Sequence, residues 1–140
     1  MASSCSHFLL LLLPILCLAK KNILFLAADD LRPNLGLYPD VYQEAVMHTP
    51  NLDRLASRSL VFERAYVQQA LCNPSRSSLM TSRRPDTTHV TDLSTWFREA
   101  GGNFTTIPQF FKQQGYTSIN VGKMFHPSEK ASGPGGKDKL

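Results

Sequence analysis

Cysteine, tryptophan and clustered charge are all scarce in this chain. Its 140 residues contain three cysteines and one tryptophan. Cys5 and Cys17 lie within the first 19 residues, which read as a signal peptide, so the mature chain would hold only Cys72. A single cysteine cannot close a disulfide within the chain, which excludes a disulfide-stapled scaffold. Cys72 is therefore buried and inert, paired with another chain, or chemically special.

Basic charge is present but has no pattern. The formal net charge is +4, and apart from Lys20-Lys21 and Arg83-Arg84 the charged residues are scattered. A basic stripe with interleaved aromatic residues, which is typical of nucleic-acid readers, is missing. The sequence therefore does not predict a nucleic-acid partner. The modest positive excess suits a sulfated or phosphorylated one.

A long hydrophobic run occurs only near the amino terminus. The run Phe8–Ala19 ends in Cys17-Leu18-Ala19, whose first and third residues are small, and Lys20 follows it. This pattern predicts a signal peptide over residues 1–19. The run is shorter than the roughly 20 apolar residues that span a bilayer. We expect a chain of the secretory pathway that has no membrane attachment after cleavage.

Apolar runs and helix signals alternate along the rest of the chain. Continuous runs predict strands buried on both faces, and Thr-Pro, Asn-Pro and Gly signals predict the starts and ends of helices. This alternation predicts an α/β fold with a mostly parallel sheet. The predicted strands are 22–28, 60–67 and 116–121, and the predicted helices are 50–59, 73–84 and 106–114. Residues 86–104 read as turns, and residues 128–140, rich in Gly, Ser, Pro and Lys, predict disorder.

Two places carry candidate chemistry. Asp29 and Asp30 follow the first predicted strand, where adjacent carboxylates suit calcium or magnesium, although a solvated turn has the same pattern. Cys72 comes directly before a predicted helix, and Arg76 follows four residues later. A helix start attracts anions and favours a thiolate, and an arginine binds sulfate or phosphate.

The segment from Cys72 to Arg76, Cys-Asn-Pro-Ser-Arg, resembles the type I sulfatase motif. Met80-Thr81 and Arg83 continue the resemblance, with Ser82 where that family has glycine. Further segments resemble the iduronate-2-sulfatase group of the family, in the same order along the chain: Asp29–Pro33, Thr49–Asp53, Arg83–Thr88, Gly102–Phe104 and Gly122–Pro127. The resemblance covers about residues 22–127. It implies a partial, incomplete domain of the alkaline phosphatase-like sandwich over residues 20–127, followed by an unrelated tail at 128–140.

The resemblance also implies a chemistry. Cys72 would be oxidised to formylglycine by the formylglycine-generating enzyme, and its hydrated aldehyde would attack a sulfate ester. One calcium ion would be held by Asp29, Asp30 and Cys72. Arg76 would steady the formylglycine and the metal site, and Lys123 and His126 would contact the substrate sulfate. The implied substrate is iduronate 2-sulfate in dermatan sulfate and heparan sulfate, and the implied location is the lysosome, or alternatively the extracellular space.

Asn103-Phe104-Thr105 is the usable glycosylation sequon, because proline occupies the middle position of Asn73-Pro74-Ser75. Complete sulfatases of this kind are several times longer, so we expect an amino-terminal piece with little or no activity of its own. Three alternatives stay open: a non-catalytic product that binds sulfated glycans or a full-length relative, a phosphodiesterase or phosphonate hydrolase of the same superfamily, and a fragment that does not fold.

Overall fold

The computed structural model describes residues 20–38, 47–128 and 130–134. The chain divides into two compact units, Met1–Ser59 and Leu60–Leu140, and each is described by itself. The predicted signal peptide at 1–19 and the last residues, 135–140, lie outside the described part. Within that part, no helix combines the length and the apolar character needed to cross a membrane.

The first unit contains helix α1, Pro50–Ala56. Pro50 occupies the first helical turn, where its missing N–H costs no hydrogen bond. Thr49 precedes it, and its hydroxyl donates to the Asp53 carboxylate and accepts from the Gly36 N–H, both at 3.0 Å. These two bonds tie the loop at Gly36 to the helix. The predicted helix is confirmed, although it ends at Ala56 rather than at Ser59.

The second unit contains four helices among its described residues. They are α2, Cys72–Thr81; α3, Pro85–Thr88; α4, Phe97–Ala100; and α5, Ile107–Gln113. Helix α2 contacts α3 and α5, and α3 contacts α4. The helices predicted from Asn73 and from Thr106 are confirmed. The short helices α3 and α4 were not predicted, because the sequence of 86–104 indicates turns. At α5, Thr106 and Gln109 form a reciprocal capping box, which explains its sharp start.

The predicted strands 22–28, 60–67 and 116–121 are not strands in the described structure. Their apolar side chains face solvent, with Leu26 81%, Leu60 80% and Val121 93% exposed. A strand exists only where a neighbouring strand accepts and donates its ladder hydrogen bonds. A continuous apolar run is typical of a strand that is covered on both faces by other parts of the protein. The described residues do not form such a cover over these segments. The predicted sheet is therefore not confirmed by the described residues.

The core of the second unit is small. Among its described residues, the buried hydrophobic side chains are Met80, Val90, Phe97 and Ala131, and Phe97 is 0% exposed. The Phe97 ring stacks on Phe125 with centroids 6.0 Å apart and an interplanar angle of 21°. Gly101 ends α4 against the backbone of α3, where an added Cβ would lie 2.4 Å from the Thr88 carbonyl oxygen. Only glycine permits that approach of the two helices.

The carboxyl-terminal residues of the described part form a packed turn rather than a disordered tail. The Ser128 hydroxyl donates to the Leu93 carbonyl at 3.1 Å, and the Ser132 hydroxyl donates to the Ser128 carbonyl at 2.8 Å. Gly133, at φ +83°, lies so close to Trp96 that an added Cβ would be 2.6 Å from the indole ring. These contacts involve Ser128, Ser132 and Gly133 of the stretch 128–140, for which the sequence predicts disorder. Local composition does not reveal this packing, because the contacts come from residues about 35 positions earlier.

Candidate active site around helix α2

Helix α2 buries a polar face. Its one exposed large apolar side chain is Leu79, at 42%. Two of the buried polar side chains, Asn73 and Arg76, bond to main-chain carbonyls outside the helix, so hydrogen bonds contribute to its packing beside the buried Met80. The buried polar side chains are Asn73, Arg76, Ser77, Ser78 and Thr81. Cys72 is the first residue of α2 and is half-buried, following Leu71 in extended conformation.

Arg76 joins α2 to the segment that contains Lys123 and His126. Its guanidinium, in a side chain only 8% exposed, donates to the carbonyl oxygens of Lys123 and, at 3.3 Å, of Met124. A buried arginine needs such acceptors, because its charge cannot be lost by deprotonation. The two predicted parts of the site, 47 residues apart in sequence, are thus brought together.

The end of this segment is held by aromatic packing. Phe125 stacks on the buried Phe97. The next residue, His126, is half-buried, and its Nδ1 atom is buried without a hydrogen-bond partner among the described residues. Lys123 is exposed. The site therefore offers a cationic side chain and an imidazole on a backbone that Arg76 and Phe97 hold from two sides.

A further anchor, which sequence reasoning missed, is Asn73. Its side-chain amide, 1% exposed, donates to the carbonyls of Asp92 at 3.0 Å and Thr95 at 2.8 Å. The Asp92 carboxylate closes this turn by accepting from the N–H groups of Ser94 and Thr95, each at 2.7 Å. These backbone N–H donors, that of Ser94 first, lower the pKa of Asp92 to about 2. The sequence Asp-x-Ser-Thr indicates a turn, but it does not indicate that Asn73 is the side chain that binds this turn.

Asp29 and Asp30 belong to the first unit, where they form an exposed turn. Asp30 adopts φ 52°, a left-handed conformation that aspartate tolerates better than most residues. Calcium takes about six to eight oxygen ligands. Within the described ranges, no three His, Cys, Asp or Glu side chains converge as a metal site would require. The two carboxylates fit calcium in their chemistry and form only part of a ligand set.

Asn103 is exposed at the turn before α5. Its side-chain oxygen accepts a hydrogen bond from Arg98, which also donates to the Phe104 carbonyl at 3.1 Å and to Gln109 at 3.0 Å. Glycans attach to the amide nitrogen of asparagine, and the hydrogen bond from Arg98 uses the oxygen. The geometry is therefore compatible with modification at this position.

Ser82, the departure from the family motif, ends α2. It has φ 55° and ψ 32°, in the left-handed region where glycine is preferred. The departure therefore affects the end of the helix, six positions beyond Arg76, rather than the turn that bears Cys72.

The sequence matches the family model described as Sulfatase over residues 21–133. This range covers most of the chain and includes α2 and the Lys123–His126 segment, so the chain belongs to the sulfatase family. The match also extends beyond Pro127, where the resemblance was expected to stop, into the packed turn around Ser132.

Individual relatives agree with the family model. Human and mouse iduronate 2-sulfatase are each 52% identical over 106 residues, which cover 76% of this chain and 18% of the relative. A sulfatase of Formosa agariphila is 36% identical over 113 residues, covering 76% of this chain and 22% of the relative. The chain therefore spans about a fifth of the length of these relatives.

Proposed function

We propose that this chain is the nucleophile-bearing part of a sulfuric ester hydrolase that removes sulfate from iduronate 2-sulfate in dermatan sulfate and heparan sulfate. The observation that carries the proposal is the sulfatase motif on α2, with Arg76 bonded to the carbonyls of Lys123 and Met124. The 52% identity to human iduronate 2-sulfatase supports this choice of substrate. The family's α/β sandwich, with its parallel sheet, is proposed for the complete enzyme.

Cys72, oxidised to formylglycine by the formylglycine-generating enzyme, would supply a hydrated aldehyde whose hydroxyl is the nucleophile. The residues of this chain then bind and orient the substrate. The Lys123 ammonium provides positive charge for the sulfate oxygens, and the His126 imidazole provides a ring N–H that donates a hydrogen bond to them. Arg76 bonds the backbone at Lys123 and Met124 to α2, the helix that begins with Cys72. This contact supports a restricted distance between nucleophile and sulfate.

Asp29 and Asp30, together with the modified Cys72, would contribute to a calcium site in the complete enzyme. Calcium there would neutralise charge on the sulfate and favour ionisation of a bound hydroxyl. The two carboxylates supply hard oxygen ligands, which calcium prefers. We expect the rest of the ligand set to come from the part of a sulfatase that this chain does not span.

We propose a lysosomal location reached through the secretory pathway, with secretion as the alternative. The predicted signal peptide over residues 1–19 and the exposed sequon at Asn103 support this route. Digestion with an endoglycosidase tests the glycan: the secreted chain should lose mass, and the Asn103→Gln variant should not. A wild-type chain of unglycosylated mass would remove this support.

The decisive experiment is peptide mass spectrometry across Cys72 on chain secreted from a eukaryotic host. An aldehyde in place of the thiol is the expected result, and Arg76→Ala, which alters the recognised motif, should lower the converted fraction. A wholly unmodified thiol in the wild-type chain would contradict the proposed catalytic chemistry. Because the chain spans about a fifth of its relatives, we expect little or no turnover of sulfate esters by it alone.

The non-catalytic alternative has a distinct signature. An unmodified Cys72 together with saturable binding to heparan sulfate would favour a glycan-binding product over a hydrolase. The net charge of +4 is compatible with such binding. Neutral dextran is the matched control ligand, since it lacks the sulfate groups.

A further inference from the structure

We propose that Asn73 is a positioning residue that sets the place of Cys72 relative to His126. This inference rests on the proposed function, since it concerns the position of the proposed nucleophile. Asn73 directly follows Cys72 in the first turn of α2 and is 1% exposed. A buried amide of this kind persists only where its donors find acceptors.

The first step of the argument is where the amide points. Its nitrogen donates to two acceptors outside α2, the carbonyls of Asp92 and Thr95. The Ser77 hydroxyl contacts the amide oxygen at 3.5 Å from within the helix. A residue that served only to start the helix would instead cap its N–H groups. Asn73 therefore connects the beginning of α2 to a separate turn.

The second step is the rigidity of that turn. The Asp92 carboxylate accepts from two backbone N–H groups, and from the hydroxyls of Ser94 at 3.2 Å and Thr95 at 2.8 Å. Four donors on one carboxylate hold residues 92–95 in one conformation. The two carbonyls that Asn73 contacts are thus fixed acceptors rather than parts of a loose loop.

The third step leads from the turn to His126. Thr95 is followed by Trp96 and the fully buried Phe97, which stacks on Phe125, the neighbour of His126. The chain of contacts therefore runs from Asn73 through the 92–95 turn to the Phe97–Phe125 pair, and so to the backbone that carries His126. It is independent of the Arg76 bonds, which reach the same segment at Lys123 and Met124.

The test uses the full chain made in a host that leaves Cys72 as a thiol, with Asn73→Ala, the isosteric Asn73→Asp and the exposed control Asn120→Ala. The alkylation rate of Cys72 by iodoacetamide is followed by peptide mass spectrometry, which separates it from Cys5 and Cys17. Loss of the two bonds should raise this rate by at least about fivefold, since the net free energy of a single hydrogen bond already corresponds to that factor. The imidazole C–H resonance of His126 should shift in both Asn73 variants and stay in place in Asn120→Ala.

Unchanged alkylation and an unmoved His126 resonance in a folded Asn73→Ala would overturn the proposal. Both changes are measured under conditions in which Trp96 fluorescence shows each variant to be folded, so that they report positioning rather than unfolding. If both Asn73 variants fail to fold, Asp92→Asn is used to loosen the 92–95 turn instead. Faster alkylation of Cys72 and a shifted His126 resonance are then expected in that variant. Their absence counts against the proposal. Conversion of Cys72 to the aldehyde is measured separately on the secreted chain, so failure of the proposed function is distinguishable from failure of this inference.

Discussion

The guanidinium of Arg76 donates to the main-chain carbonyl of Lys123, so the arginine of the sulfatase motif holds a backbone in this structure. That contact spans 47 positions and joins two motifs that sequence reasoning could only place on separate elements. A lysine in its place would keep the charge and lose the planar donor that reaches two adjacent carbonyls.

Arg76→Lys should therefore lower the free energy of unfolding of the second unit by about 2 kcal/mol, since hydrogen bonds from a buried charge are stronger than neutral ones. Urea denaturation followed by the fluorescence of Trp96, the one tryptophan of the chain, measures the change. Arg64→Lys, at an exposed position, is the matched control and should leave the midpoint in place. Equal midpoints for the two variants would show that the contact does not contribute to stability.

Ser82→Gly should stabilise the chain. Ser82 ends α2 at φ 55°, and a left-handed residue with a Cβ costs about 1 kcal/mol more than glycine. We expect the free energy of unfolding to rise by about 1 kcal/mol in urea melts. Ser82→Ala, which keeps the Cβ, should give no such gain. A gain in both variants would point to the serine hydroxyl rather than to backbone conformation.

The helices could be predicted from the sequence because their signals are local. Thr49-Pro50 and Thr106 mark helix starts within a few residues of the observed ones, and Gly115, at φ +80°, follows α5 as expected. The strands predicted at 22–28 and 60–67 are not confirmed. A strand forms only with a hydrogen-bonded neighbouring strand, and a local apolar run does not specify that neighbour. The contacts of Arg76 and Asn73 could not be predicted from the sequence either. Their acceptors are main-chain carbonyls, and every residue has one, whatever its side chain.

Asp92→Asn should reduce stability near neutral pH and have less effect in strong acid. The pKa of Asp92 is lowered from 3.8 to about 2, so folding favours its charged form. Its contribution is therefore present above the unfolded value, near pH 4, and is lost as the pH falls through about 2. Denaturation at a series of pH values should show the gap between wild type and variant closing over that interval.

The control for Asp92 is Asp86→Asn, whose carboxylate makes an exposed ion pair with Arg84 at 3.4 Å. Exposed pairs of this kind contribute little to stability. Its stability curve should follow that of the wild-type chain at every pH. A gap for Asp92→Asn that does not change with pH would mean that the charge on the turn is unimportant.

Gly133→Ala should detach the carboxyl-terminal turn. The added Cβ would lie 2.6 Å from the Trp96 ring, and the residue already requires φ +83°. We expect the emission of Trp96 to shift to longer wavelength as the indole becomes hydrated. Gly122→Ala carries the same kind of backbone strain, at φ +87° with no atom within 4 Å of the new Cβ, and should leave the emission unchanged. A similar shift in both variants would contradict packing of the turn on the indole.

The exposed segments 22–28, 60–67 and 116–121 also have a consequence for the fate of the chain in a cell. Each presents at least two exposed large apolar side chains on a backbone without regular structure, with Leu24, Phe62 and Ile119 at 81%, 66% and 83% exposure. Holdase chaperones capture extended apolar peptides of this kind and compete with further folding. On the proposed secretory route, the rate of export should then be governed by chaperone release. Co-expression of the segments that would cover these side chains should speed it.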